Sequence, residues 1–255
     1  MQDNSAARSA KHWNFFAGES LRQRAPLYAR LATGIRDDER LRALAAKARP
    51  GQPMANLILA AVHLLLLRGA QHPLRAHYRT LAPEDAPPPG EDPFPLFRDF
   101  CLAHEVEIAP LVAAHVTNTN EVGHSAYLRA GFAKIAAQGP GPQHLIEIGP
   151  SAGLNMHWDR YGYRYLGAGG PYEAGVPDAG LVLDTRLDGA GVPPLGTPPQ
   201  VGLRLGLERD PVDLSDREAR DWLKALVWPD HRDRYLRLEQ ALEADRKSTR
   251  LNSSH

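Results

Sequence analysis

Residues 139–142 read Gly-Pro-Gly-Pro, and the spacing of apolar residues is different on the two sides of them. Breakers this dense interrupt regular structure, so the cluster marks a boundary. Before it, 20–138 carries helical spacing and no strand-like alternation. Leu27, Leu31 and Ile35 recur every four residues and share one face, and Leu41 and Leu44 continue as a short second helix. The segment 54–68 is apolar nearly all round, which predicts a central buried helix ended by Gly69. Residues 83–95 are proline-rich and acidic and read as an extended surface connection. Helical spacing resumes at Phe97 and Cys101, breaks near Pro110, and returns at Leu128, Phe132 and Ile135.

After the cluster the period shortens. Residues 144–148 have the length of a buried strand, a glycine-rich turn follows, and 154–160 reads as a helix. Tyr161, Tyr163 and Tyr165 alternate with Gly162 and Arg164, which puts three rings on one face of a strand. Glycine and proline are dense over 167–199, with Leu181-Val-Leu183 as the strand-like core of an inserted hairpin with long loops. Residues 201–207 alternate as a further strand. Ser215-x-x-Glu218 has capping-box spacing before the helix carrying Trp222, Leu223 and Leu226, and Pro229 separates that helix from a last one reaching Ala244.

Residues 245–255, DRKSTRLNSSH, show no apolar periodicity. Read as codons, the string matches a common sequencing-library adapter, so 245–255 is expected to be a non-native tail on a chain cut short near Ala244. The domain expectation is therefore a helical N-terminal domain over 1–138, a truncated second domain with an inserted hairpin over 139–244, and the tail.

Composition narrows the functional classes. The 255 residues hold 30 Lys plus Arg against 30 Asp plus Glu, and removing the tail's three basic and one acidic residues leaves 27 against 29. Neither balance supplies the positive excess that a nucleic-acid groove or a polybasic membrane patch requires. With 43% hydrophobic and 24% charged residues the chain is compositionally globular. The single cysteine, Cys101, forms neither an internal disulfide nor a thiolate cluster and reads as a small buried hydrophobe. The N-terminus lacks the apolar core of a secretory signal, and the apolar stretch 57–67 is too short to span a bilayer. A soluble, cytoplasmic protein is expected.

The chemistry-bearing motif is Glu147-Ile-Gly149-Pro-Ser151-Ala-Gly153-Leu-Asn155. Glycines directly after a buried strand let the backbone approach a ligand closely. Four functional readings compete. A dinucleotide fingerprint needs glycine where Ser151 stands, and a phosphate-binding Walker loop needs a terminal Gly-Lys-Ser/Thr that is absent. Gly149-x-Ser151-x-Gly153 matches a hydrolase nucleophile elbow, with Ser151 as nucleophile, but that fold needs strands upstream where this chain has helical spacing. The fourth is a methyltransferase-type loop, in which an acidic residue, here Glu147, precedes a glycine loop that wraps the methionine part of S-adenosylmethionine.

Several motifs occur in an order that resembles one family. Ala25-Pro-Leu-Tyr28, Asn56-Leu-Ile-Leu-Ala-Ala-Val-His63, Thr119-Asn-Glu-Val-Gly123, Ile146-Glu-Ile-Gly-Pro-Ser-Ala-Gly-Leu-Asn155, Asp159-Arg-Tyr161 and Trp222-Leu-Lys-Ala-Leu-Val-Trp-Pro229 look like the bacterial family catalogued as domain of unknown function 2332. The resemblance covers about 25–244. It implies an α/β fold, with a helical N-terminal region followed by an incomplete Rossmann-like (class I methyltransferase-like) sheet, and members that continue past this chain's end. It implies a small-molecule cofactor, S-adenosylmethionine, held by Glu147, Gly149, Ser151, Gly153, Asn155 and Glu208, the last at the position of the family's usual aspartate. It establishes no methyl acceptor. His124 stands in place of the family's usual arginine and Pro150 in place of alanine; Pro150 removes one N–H from the loop. Asp184, after Leu183, is the alternative acid for the ribose hydroxyls.

For catalysis the candidates are Asn120, Glu121 and Asp159. Each has a structural reading beside it: Asn118 and Glu121 have capping-box spacing, and Asp159 has Arg160 next to it as an ion-pair partner. The tyrosine stripe either stacks on a ligand or covers the core. His63 reads as a hydrogen-bonded core residue, while His144 and His157 flank the turn. No histidine pair has zinc-site spacing, so no metal is expected. A non-catalytic binding protein on the same fold remains the second functional hypothesis.

Overall fold

In the computed structural model, which describes residues 2–139, 141–189 and 191–252, the chain is a mixed α/β protein with a helical N-terminal region and small sheets. It divides into two compact units: 1–117 with 221–235, and 118–220 with 236–255. The sequence break at 139–142 falls inside the second unit.

Among its described residues, the regular secondary structure of the first unit is all helical. Helices α1 (Gln2–Arg22), α2 (Pro26–Asp37), α3 (Glu39–Ala45) and α4 (Met54–Leu67) follow one another. Leu27, Leu31 and Ile35 are buried together on α2, and eleven of the fourteen residues of α4 are buried, as the unbroken apolar run requires. Asp38 ends α2 and opens α3, its side chain accepting from Leu41 N at 3.0 Å. Gly69 follows α4 with φ +102°, a conformation that favours glycine.

Two local expectations are corrected here. The proline-rich connection stops at Asp92, which caps α5 (Pro93–Ala103) through Phe94 N, so Pro93 starts a helix where its missing N–H costs nothing. The helical break lies at His104, and Pro110 sits inside α6 (Glu105–Ala114). It forgoes one backbone hydrogen bond, to Val106, on a turn where Val106 itself is exposed and water can take the carbonyl. The apolar core of this unit joins Trp13, Tyr28, Leu31, Leu57, Ile58, Phe97 and Phe100 to Trp222, Ala225 and Leu226. Gly34 of α2 is under the ring of Phe94; a Cβ there would stand 2.0 Å from Phe94 Cδ2.

The second unit begins with α7 (Ser125–Ala136) and then β1 (Gln143–Ile148). The segment Leu154–Arg160, which reads as a helix from the sequence, is a 3-10 helix kinked at His157. Then come β2 (Gly162–Gly167), β3 (Gly170–Gly175), β4 (Val182–Arg186) and β5 (Val201–Leu207). They form two sheets. β1 pairs with β5 in parallel, and β2 lies between an antiparallel β3 and a parallel β4. Glycine-rich β3 carries no apolar alternation; it forms a hairpin with β2, while Val182 and Leu183, in the expected core of a hairpin over 167–199, lie on β4, which pairs with β2 in parallel.

Tyr161, Tyr163 and Tyr165 are buried, and their hydroxyls donate to the carbonyls of Leu154, Trp158 and Ala126. The stripe thus fastens β2 to the 3-10 helix and to α7, which is the covering role. Phe132 of α7 stacks on Trp158 at 4.6 Å.

The β1–β5 pair is two-faced. Leu145, Glu147, Arg204 and Gly206 lie on the face toward the 3-10 helix; the other face carries Ile146 and Ile148, 67% and 84% exposed, with Leu203, Leu205 and Leu207 also exposed.

Helix α8 (Arg217–Ala225) starts one residue later than its capping box predicts. Asp216 accepts from Glu218 N at 2.9 Å and Ala219 N at 3.3 Å, while Ser215 donates its own N–H to Asp213. α9 (Arg232–Asn252) runs past Ala244 as continuous helix. Among the described residues no helix is long and apolar enough to cross a membrane.

Candidate functional site

The turn after β1 brings three residues of positive φ within five positions. Gly149, Ser151 and Gly153 have φ of +74°, +55° and +71°. Glycine tolerates this region freely, whereas Ser151 holds it at a cost. Four hydrogen bonds over-determine the turn. Gly149 N donates to Leu207 O at 2.9 Å, extending the β1–β5 ladder by one rung. Pro150 O accepts from both Gly153 N at 2.8 Å and Asn120 Nδ2 at 3.0 Å. Ser151 N donates to Glu208 Oε2 at 3.0 Å.

Glu208 follows directly on β5, the parallel neighbour of β1, so the strand pairing brings its carboxylate to the turn. Its other oxygen accepts from Arg209 N at 2.8 Å. Backbone N–H groups, Ser151 first and then Arg209, hold this carboxyl below its ordinary pKa. Asp184, the alternative acid, is on β4 in the other sheet and is paired with Arg164 through both carboxylate oxygens.

Glu147 is half-buried on β1 opposite Gly206, and burial raises its pKa. Gly206 is a residue sequence reasoning missed. A Cβ there would lie 2.9 Å from Pro150 Cγ, so only glycine lets β5 pass beneath the turn. The available signal was glycine within a strand pattern, which marks a close backbone approach.

The remaining candidates separate. Asn120 touches the turn, and its Oδ1 is buried without a hydrogen-bond partner. Asn155 is instead turned toward α7, its Oδ1 accepting from Ser125 Oγ at 2.8 Å. Glu121 caps the short 3-10 turn Val122–His124 through Gly123 N and lies 3.7 Å from Arg237. Asn118, the other half of the expected capping box, donates to Asp210 O. Asp159 pairs with Arg204 of β5, not with the adjacent Arg160. His144 accepts from Leu203 N at the far end of β1, and His157 faces Asp245 at 3.8 Å. Among the described residues no group of three or more His, Cys, Asp or Glu is disposed to hold a metal ion.

Chemically the turn is rich in acceptors: Glu147, Glu208 and Asn120 Oδ1. Such a set suits a ligand presenting hydroxyl or ammonium donors and disfavours a pyrophosphate, which two carboxylates would repel. Ser151 Oγ is buried without a hydrogen-bond partner, whereas a hydrolytic nucleophile needs a base within hydrogen-bond reach.

A family model described as "Uncharacterized protein conserved in bacteria (DUF2332)" matches residues 10–252. No curated protein and no solved structure matches the chain. Spanning nearly the whole sequence, the family match settles kinship where other comparisons are silent: the chain belongs to the bacterial DUF2332 family.

Proposed function

We propose that the chain binds S-adenosylmethionine at the turn after β1, on an incomplete Rossmann-like sheet of the class I methyltransferase type, and serves methyl transfer. The observation that carries this reading is Glu208. An acidic side chain at the end of the parallel neighbour strand reaches the glycine turn at 3.0 Å from Ser151 N, as an acceptor for vicinal hydroxyls should. Glu147 and Asn120 Oδ1 add acceptors for an ammonium group, and Gly149, with open space where its Cβ would be, admits close approach.

S-adenosylmethionine, when bound, supplies an electrophilic methyl group. The protein's share is then to position an acceptor in line with it. Asn120 braces the turn through Pro150 O, and Glu208, which now accepts from Ser151 N, would accept from the ligand's hydroxyl groups.

Isothermal titration of the intact chain with S-adenosylmethionine tests the reading. Saturable binding is expected, weakened roughly 10- to 100-fold in Glu208→Gln, since charge-assisted hydrogen bonds are worth about 1.5–3 kcal/mol. No binding by a folded protein overturns it. A second reading, binding without catalysis, is favoured by the engagement of both acidic candidates, Glu121 and Asp159, with arginines. Binding with no turnover on any acceptor would select it.

A further inference from the structure

Arg129 lies in α7 and is only 3% exposed. A buried guanidinium is ordinarily neutralised by a carboxylate. Among the described residues Arg129 has none. Its Nη2 donates to two backbone carbonyls, Gly196 O at 2.9 Å and Leu195 O at 3.4 Å, and its Nε and Nη1 are buried without a hydrogen-bond partner. The side chains that feel its charge include Tyr163 and Tyr165, whose hydroxyls are already committed as donors to Trp158 O and Ala126 O. The residues 191–200 that supply the two carbonyls have no regular secondary structure. A full positive charge is thus held in the interior by partial charges alone, with N–H donors left over.

We propose that Arg129 is the receptor for a small oxyanion, a carboxylate or phosphate group, which enters as 191–200 draws back and replaces the two carbonyls. The guanidinium is the side chain best matched to planar or tetrahedral oxyanions, and the carbonyls occupy the place such oxygens would take. The site lies one helical turn along α7 from a contact with the 3-10 helix. Ser125, one helical turn before Arg129 on the same face of α7, is bonded to Asn155 at the start of the 3-10 helix. The inference does not depend on what binds at the turn.

The test uses the full chain with two probes, inorganic phosphate and succinate, each titrated against potassium chloride at matched ionic strength. Thermal unfolding follows binding, and amide chemical shifts in NMR spectra follow 191–200. A saturable rise in Tm with either probe, with shifted amide signals at Val192, Leu195, Gly196 and Thr197, is expected; whichever probe acts identifies phosphate or carboxylate as the ligand group. Arg129→Lys should weaken the midpoint at least tenfold and Arg129→Met should abolish the response while leaving a folded protein. An unchanged midpoint in Arg129→Met, or no response beyond that of chloride in the unaltered chain, overturns the proposal. Should Arg129→Met fail to fold, unshifted amide signals over 191–200 in the unaltered chain at saturating phosphate and succinate overturn it.

Discussion

His63 gives the most quantitative expectation. It is fully buried in α4, with Nδ1 3.0 Å from Ala225 O and Nε2 2.8 Å from Thr80 Oγ1. The carbonyl can only accept, so Nδ1 carries the proton and Nε2 takes the threonine hydroxyl's; the ring is neutral. Burial lowers its pKa from the ordinary 6.5 to about 4. The unfolded chain therefore binds this proton from about pH 6.5 downward, the folded chain only near pH 4. Between these values the unfolded state holds more protons, so stability falls as pH falls. At about 1.36 kcal/mol per pH unit the whole window is worth about 3 kcal/mol. His63→Asn keeps a donor for Ala225 O and removes the titration, at a cost of about 2–3 kcal/mol at neutral pH for the lost bond and the space left. Urea unfolding of both proteins between pH 7.5 and about 4 isolates the residue from the carboxylates that titrate alongside it. The stability difference between the two proteins should shrink by about 3 kcal/mol across this range. A difference that stays constant with pH refutes a buried neutral imidazole.

Two further outcomes follow from packing and capping. Gly34→Ala forces a methyl into the ring of Phe94, and since that partly buried ring packs against the core and must be displaced, the expected loss is about 1–3 kcal/mol by denaturant titration. Asp216→Ala should cost about 1 kcal/mol through the start of α8, and Ser215→Ala nearly nothing; the reverse order would restore the capping box read from the sequence.

The helical half was legible because burial there writes itself as apolar spacing: α2 and α4 follow directly from Leu27, Leu31 and Ile35 and from the run 54–68. The β1 turn was legible because strand, glycine and helix-like segment follow in order. What escaped depends on partners distant in sequence. Asp159 reads as a neighbour of Arg160, but the strand pairing brings Arg204 to it. Glu208 and Asp184 each follow a strand-like run, and the pairing of β5 with β1 and of β4 with β2 puts the first beside the turn and the second in the other sheet. Arg129, a lone arginine among helical residues, carries no sign in the sequence that its charge is interior.

The outward row of Ile146, Ile148, Leu203, Leu205 and Leu207 has a colloidal consequence. Long-range repulsion between copies vanishes where net charge does, and 30 basic residues against 30 acidic ones put that point near pH 7.2. A short-range sticky strip then meets no barrier to coagulation, so the solubility minimum falls at physiological pH. Moving a pH unit to either side restores the barrier.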